Sequence, residues 1–337
     1  MNKKQLEKCT ILKVISGSVA YGFNTKESDI DYRGISIPPK EYFLTPEKRF
    51  DQYLTIDCTI YNIMKFFKLS MNNNPNILEL LWIDKPEHII YLDKYAKKLK
   101  SIRKEFLSTK VKFTYSGYAF SQLKRIKSHK KWLLEPPTHK PIRSEFDLDE
   151  LDTINCSDRG ALNKLIERKY TFDSNIIKYI QKENKFQQAT KQWNQYCKWK
   201  NNRNPKRAKL ELKYGYDTKH ATHLVRLMRQ GLEILKTGEL SVYRQDAKEL
   251  LSIREGEWSF DKLIDYTTQL EVDMTNLYNN PKKCAVPKNC NREKLGNICM
   301  EMLETYWKDK EKMNFFEKIC SSLDLFKDTV DFRFLIK

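Results

Sequence analysis

The chain has 337 residues, with 62 Lys and Arg against 44 Asp and Glu, a formal net charge of +18. Hydrophobic residues make up 40% and charged residues 31%, enough apolar surface for a core, which excludes wholesale disorder. No apolar run approaches the ~18–20 residues of a membrane-spanning helix, and the segment Met1-Asn2-Lys3-Lys4-Gln5-Leu6-Glu7-Lys8 has no apolar signal region, so a cytoplasmic protein without a membrane partner is expected. The length allows one large domain or two ordinary ones. The charge favours a polyanionic partner, most simply nucleic acid, although AT-rich coding alone also enriches Lys, Asn and Ile.

Thr10 to Ser16 is β-branched and apolar and runs into Gly17-Ser18, the pattern of a buried strand ending in a tight turn. A short helix through Val19-Ala20-Tyr21 is predicted next. Asp29 to Ile37 alternates as a second strand, stopped by Pro38-Pro39, with Asp29 and Asp31 on one face because side chains alternate along a strand. Leu54 to Ile60 reads as a third strand with Asp57 inside it, and Tyr61 to Met71 has helical spacing. Asn76 to Ile83 is apolar and fits helix or strand. From about Asp93 the chain turns helical and basic, through Lys94 to Lys104 and a helix over Tyr115 to Leu134 that Glu135-Pro136-Pro137 ends. Glu145 to Asp152 is an acidic connection, and Lys200 to Lys213 is basic with Pro205 as a breaker. Thr218 to Lys236 is the clearest amphipathic helix, and a loop is expected over Pro281 to Asn291. The eight cysteines include no C-x-x-C pair. Cys284 and Cys290 lie closest, with no neighbouring histidine, so reduced thiols rather than a zinc site are expected.

The chemistry concentrates in Gly17-Ser18-Val19-Ala20-Tyr21-Gly22 and Ser28-Asp29-Ile30-Asp31. A glycine lets backbone approach a phosphate closely, and a hydroxyl with nearby N–H groups can hold phosphate oxygens. Two carboxylates aimed the same way repel unless a divalent cation lies between them, and hard oxygen ligands suit Mg²⁺. Asp57 on the adjoining strand offers a third carboxylate, and three carboxylates holding two ions form a clamp for in-line displacement at phosphorus. Asp51 is the alternative to Asp57. Arg33 is expected to pair with one of these aspartates or to contact phosphate.

This arrangement resembles the nucleotidyltransferase superfamily of DNA polymerase β, whose signature is Gly-Ser, a spacer, Asp-x-Asp and a later acidic residue. Ser28 to Gly34, Asn74 to Leu81, Gly117-Tyr118 and Tyr216 to Leu227 look like its RNA-repair-associated branch, predicted nucleotidyltransferases often linked to RNA ligases. The resemblance covers about residues 12–135 and 214–255. It implies that Gly17 and Ser18 bind the triphosphate of an NTP substrate. It further implies that Asp29 and Asp31 ligate two Mg²⁺ ions, with Mn²⁺ as a substitute, and that Asp57 completes the second site and helps activate the attacking hydroxyl.

On the helix at 218–236, Leu224, Val225, Met228, Leu232 and Leu235 cluster on one side, and Lys219, His223, Arg226 and Gln230 on the other. The resemblance falls on Lys219, His223 and Arg226, so this face is expected to bind nucleotide or RNA phosphate, with Arg226 dispensable for stability. Lys124, Arg125, Lys127 and Lys131 are the candidate contacts to a nucleic-acid backbone, with Tyr118 or Trp132 stacking on a base. His129 and His139 are expected at the surface without catalytic partners.

The expected fold is α+β. A nucleotidyltransferase-type small mixed β-sheet with flanking helices forms the catalytic core over residues 1–112. A larger, mostly helical region over 113–337 binds nucleotide and acceptor, with an insertion or linker at about 140–210. The expected reaction moves a nucleoside monophosphate, ATP being one donor, to the hydroxyl of an RNA end, with tRNA among the candidate acceptors. Nucleotidylation of a protein or small molecule, or binding without catalysis, are the alternatives.

Overall fold

The computed structural model describes residues 1–25, 28–150, 156–167 and 173–327. Five strands form one mixed sheet: β1 (Thr10–Ser16), β2 (Asp31–Ser36), β3 (Gln52–Leu54), β4 (Cys58–Asn62) and β5 (Ile89–Leu92). Their spatial order is β3-β4-β2-β1-β5. β1 lies antiparallel to both β2 and β5, β3 antiparallel to β4, and β2 parallel to β4. This is the mixed α+β architecture expected.

Adjacent residues of β1, Ile11 and Leu12, are both fully buried, as are Val14 and Ile35. Burial of side chains that point to opposite faces means that the centre of the sheet is covered on both sides. Helix Ile63–Ser70 buries Ile63, Phe66 and Phe67, and both phenylalanines pack edge-on against Phe106. Such edge-to-face pairs suit the ring quadrupole. Asn73 occupies the left-handed region (φ 51°) after this helix, where its side-chain amide donates to the carbonyls of Ser70 and Phe106 and its Oδ1 accepts from Ser108 N. Asparagine tolerates this backbone because its side chain satisfies the local polar groups.

Two compact units make up the chain. Among the described residues, the first comprises those of Met1–Leu123 together with those from Ala221 to Lys327, and the second those of Lys124–His220. The second unit holds helices Cys156–Glu167, Ser174–Asn201 and Pro205–Tyr214. Among the described residues, no helix is long and apolar enough to cross a membrane.

Two readings of local structure change, and one left open is settled. Leu54 to Ile60 is not one strand. Thr55 N donates to Cys58 O (2.9 Å), and Cys58 N donates to Thr55 Oγ1 (3.1 Å), folding the segment into a turn between β3 and β4 that carries Asp57. Pro205 begins a helix, since its missing N–H costs nothing at the first helical position. Asn76 to Ile83 resolves into the short helix Pro75–Leu78 and a 3₁₀ turn, Glu79–Trp82. The sequence gives no clear signal for β5, because Ile89–Leu92 is only four residues long.

Candidate active site

The antiparallel register places Ser16 opposite Asp31, so Gly17, the next residue of the chain, emerges beside the first residue of β2. Gly17 has φ +71°, and a Cβ built there would lie 2.6 Å from Asp31 Oδ2. A side chain at 17 would therefore strain the backbone and push the Asp31 carboxylate aside. The Ser16 hydroxyl donates to Asp31 O at 3.3 Å, tying the two strand ends together. Parallel pairing of β2 with β4 puts Tyr32 opposite Cys58, and Tyr32 N donates to Asp57 O at 2.7 Å. Asp31 and Asp57 thus stand at neighbouring corners of the same sheet end, and both are exposed. Asp29 is exposed in the segment leading into β2, outside the ladder. Asp51, by contrast, accepts Asn62 N through its carbonyl at 3.0 Å, at the other end of β4.

These carboxylates supply the all-oxygen donors that a hard divalent cation prefers, and the missing side chain at Gly17 leaves room beside Asp31. They do not converge tightly. Among the described residues, the one group of three ligand-type side chains with all donor atoms within 4.8 Å is His129, Asp217 and His220. Arg33 neither pairs with a nearby aspartate nor stands free: its Nη1 donates to Asn76 O at 3.1 Å.

The short helix Gly17–Tyr21 is braced from beneath. Tyr21 is buried, its hydroxyl donates to Glu79 Oε2 at 2.7 Å, and Arg226 bonds the other oxygen of Glu79. The Arg226 guanidinium lies 3.9 Å from the Tyr21 ring centroid and donates to Gln230 Oε1 at 2.7 Å. Burial is the main cause that raises the Tyr21 pKa above its ordinary value. Burial alone would lower the pKa of Arg226, but Glu79 together with Tyr21 and Tyr115 outweighs it and holds the guanidinium above its usual value.

This corrects the expectation for the helix Thr218–Thr237. Arg226 is only 3% exposed and Gln230 is fully buried, so neither lies on an accessible polar face. The wheel assigned them there because sequence could not see Glu79, which supplies the missing counter-charge from 147 positions away. Lys219 and His223 are half-buried. His139 lies at the surface as expected, and the expectation for His129 changes. His139 is exposed beside Glu145, but His129 is mostly buried and faces Glu211 and Asp217.

The basic segments separate in the same way. Lys94 pairs with Asp309, Lys98 with Glu301, Lys100 and Arg103 with Asp84, and Lys104 with Glu239. Lys124, Arg125, Lys127 and Lys131 are exposed, and among the described residues they form no ion pair. Trp132 packs with His129, Tyr196 and Trp199, while Tyr118 is part-exposed and its hydroxyl accepts from Asn74 Nδ2 at 2.8 Å.

Residues 2–140 match the model of RlaP, the RNA repair pathway DNA polymerase beta family. The matched segment contains Gly17, Ser18, Asp29, Asp31 and Asp57 and all five strands. The RlaP match bears out the resemblance read from Gly-Ser and Asp-x-Asp and supports a polymerase-β-like nucleotidyltransferase role in RNA repair. The chain is also 24% identical over 349 aligned positions to an uncharacterized 38.9 kDa protein in the nrdC-mobD intergenic region of Enterobacteria phage T4. That similarity covers 89% of this chain and 99% of the phage protein, so it reaches well past the RlaP segment. An uncharacterized protein of Bacillus subtilis strain 168, YcgL, is 30% identical over 113 residues, 30% of this chain and 42% of YcgL. No solved structure matches the chain.

Proposed function

We propose that the chain transfers a nucleoside monophosphate from an NTP to a hydroxyl at an RNA end. The observation that carries this reading is the meeting of Gly17 with Asp31 at the sheet end where Asp57 also lies. Gly17 and Ser18 receive the triphosphate, with backbone in place of a side chain where the phosphates approach. Asp29, Asp31 and Asp57 are the residues that hold Mg²⁺, which supplies charge neutralisation for the phosphates. The acceptor oxygen attacks the α-phosphorus, the bond from that phosphorus to the bridging oxygen breaks, and pyrophosphate leaves. The acceptor proton passes to the Asp57 carboxylate, which is exposed and within reach of solvent. The protein contributes alignment more than covalent chemistry.

RNA is the favoured acceptor because Lys124, Lys127 and Lys131 recur at spacings of three and four along one exposed helix face, with no carboxylate taking up their charge among the described residues. The cluster at Lys94–Lys104 does not add to this argument, since five of its cations are engaged by acidic side chains.

The acceptor is tested with each of four α-phosphorus-labelled NTPs, Mg²⁺, total RNA and a protein extract. Label in an RNase-sensitive, protease-resistant product is expected. Label in a protease-sensitive product would move the acceptor to protein, and no label with any NTP would contradict the transfer itself.

A further inference from the structure

The second unit gathers a set of ligand-type side chains that the proposed transfer does not use. His129 comes from helix Val111–Leu134, and Asp217 and His220 stand at the start of helix Thr218–Thr237. His129 Nδ1 is 3.9 Å from Asp217 Oδ2, and His220 Nε2 is 3.5 Å from the same oxygen. The three side chains retain only 15%, 2% and 10% of their exposure, respectively.

These separations exceed the ~2.7–2.9 Å of a charge-assisted hydrogen bond. They are also too short for a water to sit between the atoms with two good bonds. They are close to the edge of a ligand tetrahedron, about 3.3 Å for metal–ligand bonds of about 2.0–2.1 Å. The remaining contacts hold the donors in place. The other Asp217 oxygen, Oδ1, accepts His220 N at 2.9 Å, which turns Oδ2 toward the two imidazoles. The His129 ring stacks on Trp132 at 5.7 Å between centroids and packs against Trp199 at 5.4 Å. Glu211 borders the group: Oε1 is 3.4 Å from His129 Nδ1, while Oε2 accepts from Arg203 Nε and Nη2 at 2.9 and 2.6 Å. Orientation of a ligating carboxylate by a second partner, as His220 N orients Asp217, is a recurrent feature of metal sites.

We propose that His129, Asp217 and His220 bind one divalent transition metal, zinc before the others, with the fourth position left to solvent. Two imidazoles with a carboxylate and no thiolate suit zinc, whereas Mg²⁺ and Ca²⁺ favour oxygen donors alone. Such a site links helix Val111–Leu134 to the start of helix Thr218–Thr237, a structural role in which bound metal stabilises the folded chain.

The test uses the full chain after EDTA dialysis, titrated with zinc sulfate by calorimetry, with bound metal counted by atomic absorption. One equivalent per chain and a raised melting temperature are expected. Asp217→Asn and His220→Ala should each weaken zinc binding about tenfold or more, whereas an Asp29→Asn/Asp31→Asn variant should keep the full equivalent. Cobalt(II) added to the wild-type chain should give the intense visible bands of four-coordinate cobalt, a readout that needs no variant to fold. Substoichiometric zinc on the wild-type chain, or the absence of those cobalt bands, would overturn the site and leave a hydrogen-bonded histidine–carboxylate cluster in its place.

Discussion

Asp31→Asn is expected to lower nucleotide transfer about a thousandfold while leaving the melting temperature within about a degree or two of wild type. Metal held by a carboxylate contributes several kcal/mol to stabilising charge in a phosphoryl-transfer transition state. Loss of about 4 kcal/mol corresponds to about three powers of ten in rate. The fold should barely respond, because Asp31 is exposed at a strand end and the β1–β2 ladder there is made by backbone groups. The amide is nearly isosteric with the carboxylate, so it fits beside Gly17, where only the absence of a Cβ leaves space for the Oδ2 position. The measurement is the initial rate of RNA labelling beside a thermal melt. Unchanged labelling would remove Asp31 from the site, and a lost melt would give it a structural role instead.

Arg226→Ala is expected to act in the opposite sense, with a large loss of stability of about 3–5 kcal/mol. The guanidinium is buried against Glu79, Tyr21 and Gln230, and Glu79 is itself only 3% exposed. Truncation would leave the Glu79 carboxylate buried without its cation, and that uncompensated charge rather than the lost contact accounts for most of the cost. A second variant separates the two. Arg226→Met/Glu79→Gln removes both charges and keeps an acceptor for the Tyr21 hydroxyl, so it should recover most of the stability. Urea denaturation of both variants provides the check. An Arg226→Ala chain within about 0.5 kcal/mol of wild type, the range of ordinary surface changes, would contradict the buried pair. Through Tyr21 this pair supports the helix that begins at Gly17 and Ser18, so Arg226 belongs to the positioning of the phosphate-facing turn.

The legible parts of the molecule were those encoded locally. β1 matches its predicted span, Thr10–Ser16, because a β-branched run bounded by Gly-Ser carries both its period and its stop signal. Gly17, Asp29 and Asp31 lie within fifteen residues, so their spacing could be read directly. Asp57 was placed near the right strand but in the wrong element, since the Thr55–Cys58 turn depends on backbone pairing between β3 and β4 that alternation alone does not encode. What stayed hidden was partnership at long range. Arg226 looked like an exposed cation until Glu79 arrived from the 3₁₀ turn Glu79–Trp82. The basic run Lys94–Lys104 shows no counter-charge in its own stretch of sequence, yet Asp309 and Glu301 pair with Lys94 and Lys98. His129 looked solitary because Asp217 and His220 are about ninety positions away, although those two were already visible together in Tyr216-Asp217-Thr218-Lys219-His220. Electrostatic partners selected by folding leave no periodic trace in a sequence.

The position of the label on the donor tests the central claim most directly. The same NTP carries label at the α-phosphorus in one reaction and at the γ-phosphorus in another, each with Mg²⁺ and RNA. A nucleotidyltransferase built on Gly17, Asp29, Asp31 and Asp57 puts the α label into RNA and releases the γ label as pyrophosphate. Label from the γ position appearing on RNA, with none from the α position, would make the chain a phosphotransferase and contradict the account.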